Sequence, residues 1–154
     1  MKQRILFDTN IVLDLIQARP GYEAAAQILQ RQEDGELDIC VSILSMADIA
    51  YVLRKTVAAS LIVPTLKQIS AIVTVVPIDN AQLQDAILLE GPDFEGILQL
   101  CCAVANDCSI VVTHNPRNFK IRKGLVGDYP FPQVSTPEAF IDVFIHRSPE
   151  GILR

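Results

Sequence analysis

The feature that most constrains the fold is the alternation of short apolar runs with longer segments of helical periodicity. The apolar runs are RILF, LDICVS, AIVTVVPI and SIVVTHN. They are apolar almost throughout rather than at every second position, which is typical of strands buried on both faces. Strands that alternate with helices favour a parallel sheet with helices on both sides. We therefore predict an α/β protein of three layers, α/β/α, with a central parallel sheet.

Helix boundaries are indicated by capping residues and by proline. Thr9 or Asn10 can cap the first helix, and Ser45 with Asp48 forms a capping-box pattern at the start of a later one. Pro64 is expected in the first turn of the helix VPTLKQIS, where its missing N–H costs little. Further helices are predicted to begin at the caps Asp79, Asp93 and Thr136.

Length and composition suit one domain. The chain has 154 residues, of which 50% are hydrophobic, enough for a sizeable core. We predict a single domain over residues 1–146 and a C-terminal tail over 147–154. No apolar run approaches the length that crosses a bilayer, and the start MKQRILFDTN does not match a signal peptide. The expected location is therefore the cytoplasm.

Charge and cysteine content narrow the function classes. The net charge of −5 argues against sequence-independent binding to nucleic acid, although the chain has local basic groups. The four cysteines match no zinc spacing and are expected to be reduced core residues. The basic groups, which could equally be a solvated loop face, are Arg117, Lys120, Arg122 and Lys123, with Arg54 and Lys55 as a smaller pair.

Polar side chains follow the predicted strands at the points where those strands end. Asp8 follows the first strand, and Asp48 lies in the helix after the second. Asp93 opens the helix before the fourth strand, and Glu95 lies in its first turn. Thr113 and Asn115 end the fourth strand. Sites in parallel sheets form beyond the carboxyl ends of the strands, so these groups are expected to meet at one edge. Oxygen donors of this kind suit a hard divalent cation such as Mg²⁺.

Structural roles remain open for the same residues. Asp8 and Asp93 could serve only as helix caps, Asp48 could close its capping box, and Asn115 before a proline could be a turn residue. Three further polar residues are expected to be structural or at the surface. They are Asp14 on the surface, Glu95 as a helix-terminus charge and His114 without an obvious partner.

Four segments, in this order and spacing, resemble the PIN domains of VapC-type bacterial toxins and their relatives. They are ILFDTNIVLDLI, SILSMADIAYVLRK, DFEGILQLCCAVAND and IVVTHNPRNF, and the resemblance extends from about residue 4 to residue 140. It implies a parallel sheet of about five strands between helices. It also implies Mg²⁺- or Mn²⁺-dependent hydrolysis of RNA phosphodiesters, with acidic side chains holding the ion, a chemistry that metal sites support.

The acidic positions of the family are only partly retained. Asp8 matches the first acid, and Asp48 stands where a longer Glu is usual. Gly96 occupies the position of the third acid in a DFED-like run, and Asn118 stands where an Asp is common. Asp93, on nearly the same helix face as Gly96, is the candidate substitute. Metal binding is therefore expected to be weaker than in a full site, because affinity rises with carboxylate count.

The resemblance and the residues together give the following assignment. Asp8, Asp48, Asp93 and Asn115 are predicted to be catalytic, with Asp8, Asp48 and Asp93 as ligands of Mg²⁺ or Mn²⁺. The predicted substrate-binding residues are Asn10, Thr113, His114, Arg117 and Lys120. His114 stands where the family usually has an Arg.

Two functions are carried forward from these residues, and the resemblance adds a third, the toxin of a toxin–antitoxin pair that a small partner protein blocks. The first is a metal-dependent ribonuclease, with RNA as substrate, an antitoxin protein as candidate partner and a homodimer suggested by the resemblance. The second is a degenerate PIN fold that binds RNA or protein without chemistry, for which Gly96 and Asn118 argue. Under the second hypothesis, Gly96→Asp is expected to create activity.

Overall fold

The computed structural model describes residues 2–121 and 131–145, with only the backbone of residue 145. The predicted basic residues Arg122 and Lys123 and the predicted tail over 147–154 lie outside the described residues. The strands are β1 Gln3–Phe7, β2 Leu37–Ser42, β3 Thr74–Val76, β4 Ile110–Val112 and β5 Gln133–Ser135. The helices are α1 Thr9–Gln17, α2 Tyr22–Glu33, α3 Ile43–Leu53, α4 Ala59–Ile72, α5 Asn80–Leu89, α6 Phe94–Ala105 and α7 Pro137–Phe140. A 3₁₀ segment spans Pro116–Phe119, and α7 continues into a π-helical turn at Ile141–Ile145.

The described strands form one parallel sheet of 5 strands in the order β3-β2-β1-β4-β5. Strand β1 lies at the centre, where Leu6 is paired with Cys40 of β2 on one side and with Val111 of β4 on the other. The chain moves outward from β1 to β2 and β3, then crosses to β4 through α5 and α6. The predicted α/β/α architecture is confirmed. The topological switch point lies between β1 and β4, where open parallel sheets form their sites.

Two packed faces cover this sheet, because successive strand residues point to opposite sides. On one face, Ile5 and Phe7 of β1 pack with buried residues from α1, α2, α3 and α7. On the other, Leu6 packs with Leu100 and Ala103 of α6. Burial on both faces explains why the strands are apolar throughout.

The cysteines belong to the core, as the sequence predicts. Cys40, Cys101, Cys102 and Cys108 are buried and not in disulfides. Cys101 packs against Leu89 and Ile97, whereas its neighbour Cys102 packs beneath the sheet. The two adjacent thiols therefore point in different directions.

The starts of α1 and α3 differ from the sequence-based expectation. Asp8, rather than Thr9 or Asn10, is the N-cap of α1. Ser42 caps α3, so the helix begins before Ser45, which lies inside it. Both strands run directly into the following helix, and the cap is therefore the last residue that keeps an extended backbone. The caps Asp79, Asp93 and Thr136 are confirmed.

The region around α4 was the least accurately predicted. Helix α4 begins at Ala59, so Pro64 lies inside it rather than in its first turn. It also ends later than expected, because Ala71 and Ile72 complete α4 and leave only Thr74–Val76 for β3. Strand β5 carries too short an apolar pattern to be recognised from sequence. Within the described residues, no helix is both long and apolar enough to cross a lipid bilayer.

Candidate active site

Asp8 lies at the switch point, directly after β1, and its carboxylate is anchored on both oxygens. The backbone N–H of Thr9 donates to Oδ1 at 2.8 Å, and the Thr113 hydroxyl at the end of β4 donates to Oδ2 at 2.8 Å. Burial raises the pKa of Asp8, assisted by the charge of Asp93 and opposed by the two hydrogen bonds and by His114. Asp8 is thus a cap and also a buried anion that needs further positive charge.

Asp48 contributes a second carboxylate from α3. Because Ser42 caps this helix and accepts from the backbone N–H of Ser45, no capping box involves Asp48. The structural alternative for Asp48 is therefore wrong. Its side chain instead lines the same cleft as Asp8.

Asp93 contributes a third carboxylate at the start of α6. Its Oδ1 accepts from the backbone N–H of Gly96 at 3.1 Å, which confirms the capping role. Asp93 also lines the cleft with Asp8, so the cap and the cleft acid are the same residue.

Glu95, which the sequence placed near this edge only as a helix-terminus charge, is a fourth carboxylate of the cleft. It is exposed in the first turn of α6, yet its carboxyl group is hydrogen-bonded to Asp48 and lines the cleft. That hydrogen bond, burial and the charges of Asp48, Asp8 and Asp93 raise the pKa of Glu95 to about 7. Two sequence signals pointed to Glu95, namely its place at the start of the helix before β4 and its position one residue from the family's acid.

Asn115 and Asn118 also line the cleft, in addition to Asn10 of α1. Asn115 follows β4, and its backbone N–H donates to the Thr113 hydroxyl at 3.2 Å. Asn118 lies on the 3₁₀ segment, where the family often has an Asp. The cleft has a volume of about 250 Å³. Its polar lining residues are Asp8, Thr9, Asn10, Asp48, Tyr51, Asp93, Glu95, Asn115 and Asn118.

Position 96 has no room for a side chain, and the glycine there has none. A Cβ at Gly96 would lie 2.6 Å from the carbonyl oxygen of Asn118 and 3.2 Å from its carbonyl carbon. The 3₁₀ segment thus packs directly on the helix backbone. A carboxylate at position 96 would require this segment to move, so Gly96→Asp does not simply restore a missing ligand.

His114 is not among the residues that line the cleft, and it pairs with Asp14 of α1. Its Nε2 makes a short hydrogen bond to Asp14 Oδ2. The Asp14 carboxylate also lies 3.9 Å from the Arg19 guanidinium, and the Asp14 side chain is only 8% exposed. The expectation of a surface Asp14 is therefore wrong, because the fold brings two basic partners to it.

A buried polar network lies behind the acids. The Thr9 and Ser45 hydroxyls are 2.8 Å apart, and Gln99 of α6 donates its amide to the Ser45 hydroxyl at 2.7 Å. Gln99 Oε1 is the one buried side-chain polar atom of the described residues without a hydrogen-bond partner. The network joins α1, α3 and α6, which carry the cleft acids.

Basic residues flank the cleft rather than line it. Arg117 and Lys120 are exposed on and just after the 3₁₀ segment. At the end of α3, the Arg54 guanidinium stacks over the ring of Tyr51 at 3.8 Å, and Tyr51 itself lines the cleft. Cations thus lie next to the acidic cleft at two places, the 3₁₀ segment and the end of α3.

The donor set fits a hard divalent cation in its chemistry. Four carboxylates and three asparagine side chains line one cleft. The hydrogen bond to Asp48, burial and the neighbouring negative charges together raise the pKa of Glu95 there. Over residues 2–121 and 131–145, no three acidic, His or Cys side chains are gathered closely enough to enclose an ion by themselves. Mg²⁺ commonly takes only one or two carboxylates, with water and phosphate oxygens completing its shell.

Comparisons with known proteins agree with this geometry. The family model described as "PIN domain" matches residues 4–117. A DNA-bound VapBC complex from Salmonella typhimurium is similar in structure, with 17% identity, a TM-score of 0.59 and coverage of 89% of this chain and 99% of that one. A toxin–antitoxin complex from Klebsiella pneumoniae matches with 21% identity, a TM-score of 0.60 and coverage of 86% and 97%.

A third similar structure is VapBC-1 from nontypeable Haemophilus influenzae, with 17% identity and a TM-score of 0.60. It covers 88% of this chain and 99% of that one. No curated protein matches the chain in sequence. At these identities the structural likeness establishes the fold, whereas the family model establishes the relationship.

Proposed function

Since this chain belongs to the PIN-domain family, we propose that it is a divalent-metal-dependent ribonuclease that cleaves RNA phosphodiesters. The observation that carries the proposal is the meeting of Asp8, Asp48, Asp93 and Glu95 in one cleft at the switch point of the sheet. Separate segments supply these acids, and their mutual repulsion is an energetic cost that a structural role alone does not explain.

Asp8, Asp48 and Asp93 are the residues that would hold Mg²⁺ or Mn²⁺. A bound ion of this kind supplies a Lewis acid and a water of lowered pKa. Thr113 keeps the Asp8 carboxylate oriented toward the cleft through its hydrogen bond of 2.8 Å. Asn115 and Asn118 offer amide N–H donors to phosphate oxygens within the same cleft.

The flanking cations are proposed to position the RNA backbone. Arg117 and Lys120 lie on and just after the 3₁₀ segment, next to Asn118 of the cleft, and Arg54 lies at the end of α3 over Tyr51. These cations offset, close to the cleft, the repulsion between RNA and a protein with a net charge of −5. Asn10 is exposed at the cleft and is a further substrate contact, whereas His114 contributes by holding the segment before Asn115 against Asp14.

The direct experiment is RNA cleavage by the purified protein with Mn²⁺ or Mg²⁺. Cleavage should require the metal, stop with a chelator and be abolished by Asp8→Asn. The matched control is Asp79→Asn, because Asp79 also caps a helix, α5, and Asn caps about as well as Asp. Undiminished cleavage by Asp8→Asn would contradict the proposal.

A degenerate binding module is the second candidate, favoured by Gly96 and Asn118 in place of acids. In that case the wild-type protein would bind RNA but leave it intact with either metal. Gel-shift and cleavage assays on the same RNAs distinguish the two functions. Retained RNA binding without cleavage, across several RNAs, supports the module.

We further propose that the protein is the toxin of a toxin–antitoxin pair. Support comes from the structural likeness to toxin–antitoxin and VapBC complexes. A groove of about 320 Å³ between α1, α2 and α4, lined by Val12, Ile16, Leu29 and Ile69, offers an apolar surface for such a partner. Overexpression should arrest growth, and Asp8→Asn should relieve the arrest. Harmless overexpression without a co-purifying partner would oppose this role.

A homodimer is proposed on the exposed apolar residues of α5. Ile87 and Leu88 are 51% and 66% exposed, and Leu83 lies one turn earlier. Light scattering on the purified protein tests this state, and Ile87→Glu should shift a dimer to the monomer.

A further inference from the structure

Two adjacent residues at the start of α6 differ in what they bring to the cleft. Gly96 has no side chain, whereas Glu95 places a carboxylate there in contact with Asp48. Building on the proposed function, we infer that Glu95 supplies a further carboxylate of the cation site beside Asp8, Asp48 and Asp93, in place of the acid that Gly96 lacks.

A side chain does not fit at position 96. A Cβ there would lie 2.6 Å from the Asn118 carbonyl oxygen, far inside van der Waals contact. The backbone of the 3₁₀ segment fills the space where the usual acid would begin. A carboxylate from this end of α6 therefore has to come from a different residue.

Asp93 and Glu95 are the acids available at this end of the helix. Asp93 caps the helix through Oδ1, which accepts from the Gly96 N–H at 3.1 Å. Glu95 has no capping role, and its carboxyl group reaches across the cleft to Asp48. Of the two, Glu95 is the residue that connects α6 to the acid of α3.

Asp48 and Glu95 have side chains of complementary length. Asp48 is one methylene shorter than the Glu usual at its position, and the longer Glu95 extends toward it from the opposite wall. Two carboxylates within hydrogen-bond distance also match the spacing of neighbouring ligands on Mg²⁺. Oxygens at about 2.1 Å from the ion, at right angles, lie about 3 Å apart.

The test measures Mn²⁺ affinity by calorimetry on the full chain. Glu95→Gln should raise the Kd for Mn²⁺ by at least about tenfold, since even outer residues of metal sites contribute that much. Glu95→Asp should recover part of the affinity. The matched control is Glu138→Gln, because Glu138 is likewise an exposed acid in the first turn of a helix, α7. It should keep the wild-type Kd.

The outcomes separate this inference from the proposed function. A Kd for Glu95→Gln within about twofold of wild type, while Asp8→Asn loses both binding and cleavage, overturns the role of Glu95 and leaves the nuclease intact. Wild-type protein that neither binds Mn²⁺ nor cleaves RNA overturns both. Circular dichroism and thermal unfolding check that each variant is folded, which is expected because Glu95 and Glu138 are exposed.

Discussion

The Thr113 hydroxyl donates a hydrogen bond of 2.8 Å to Oδ2 of Asp8 and so joins the carboxyl ends of β4 and β1. These strands are neighbours in the sheet although their ends are far apart in the chain. Thr113 is fully buried, and the bond holds the one acid that lies at the switch point. It therefore ties the position of Asp8 to the packing of the sheet.

Thr113→Val is expected to lower the free energy of unfolding by about 1–3 kcal/mol, because it leaves a mostly buried carboxylate oxygen without its donor. The pKa of Asp8 should rise further, since this hydrogen bond lowers it. Urea unfolding and an NMR titration measure the two effects. Thr74→Val is the control, since the Thr74 hydroxyl also donates to an aspartate, Asp38, but at an exposed site. Equal losses in both variants would contradict the explanation.

Glu95 should make stability depend on pH near neutrality. Its pKa in the folded protein is raised from 4.5 to about 7, so the folded state retains a proton that the unfolded state releases. The contribution of Glu95 is complete at acidic pH and is lost as the pH rises through about 7. The free energy of unfolding should therefore fall over this interval in metal-free buffer.

The measurement is a set of urea transitions from acidic to mildly alkaline pH. Glu95→Gln should flatten the pH dependence, whereas Glu138→Gln should reproduce the wild-type curve. Asp8, whose pKa is also raised, remains in both variants, so the difference between them isolates Glu95. An unchanged slope in Glu95→Gln would show that Glu95 does not carry the proton.

Gly96→Ala and Gly96→Asp should both destabilise the fold by about 1–3 kcal/mol, the usual cost of overpacking. The reason is the Cβ placed 2.6 Å from the Asn118 carbonyl oxygen. Because both variants share that Cβ, the alanine variant measures the steric effect alone. Gly96→Asp is not expected to increase RNA cleavage. An Asp variant that is as stable as wild type and more active would show that the 3₁₀ segment moves easily.

Asp14→Asn should lower the free energy of unfolding by about 1–3 kcal/mol, as expected when a buried charged acceptor loses its partners. Asp14 holds His114 and lies near Arg19, and its side chain is 8% exposed. The control is Asp34→Asn, since Asp34 accepts from Gln30 at an exposed site. That change should cost less than about 0.5 kcal/mol. Thermal melts compare the two, and similar shifts would argue against a special role for Asp14.

The sequence by itself determined the layer architecture, the β1, β2 and β4 strands and the family. These depend on local features, namely runs that are apolar throughout and acids or amides placed where strands end. It also located Asp8, Asp48 and Asp93 correctly at one edge, because the carboxyl ends of parallel strands meet there. The short β5 and the full length of α4 were not predicted, since neither has a distinctive local pattern.

Only the tertiary structure decided which side chains meet. Glu95 and Asp48 lie on different helices, and their contact depends on how α3 and α6 approach each other. The closed space at Gly96 depends on the path of the 3₁₀ segment, and the pairing of Asp14 with His114 depends on α1 lying beside the end of β4. Sequence spacing specifies faces within one element, whereas distances between elements arise from packing of the whole core.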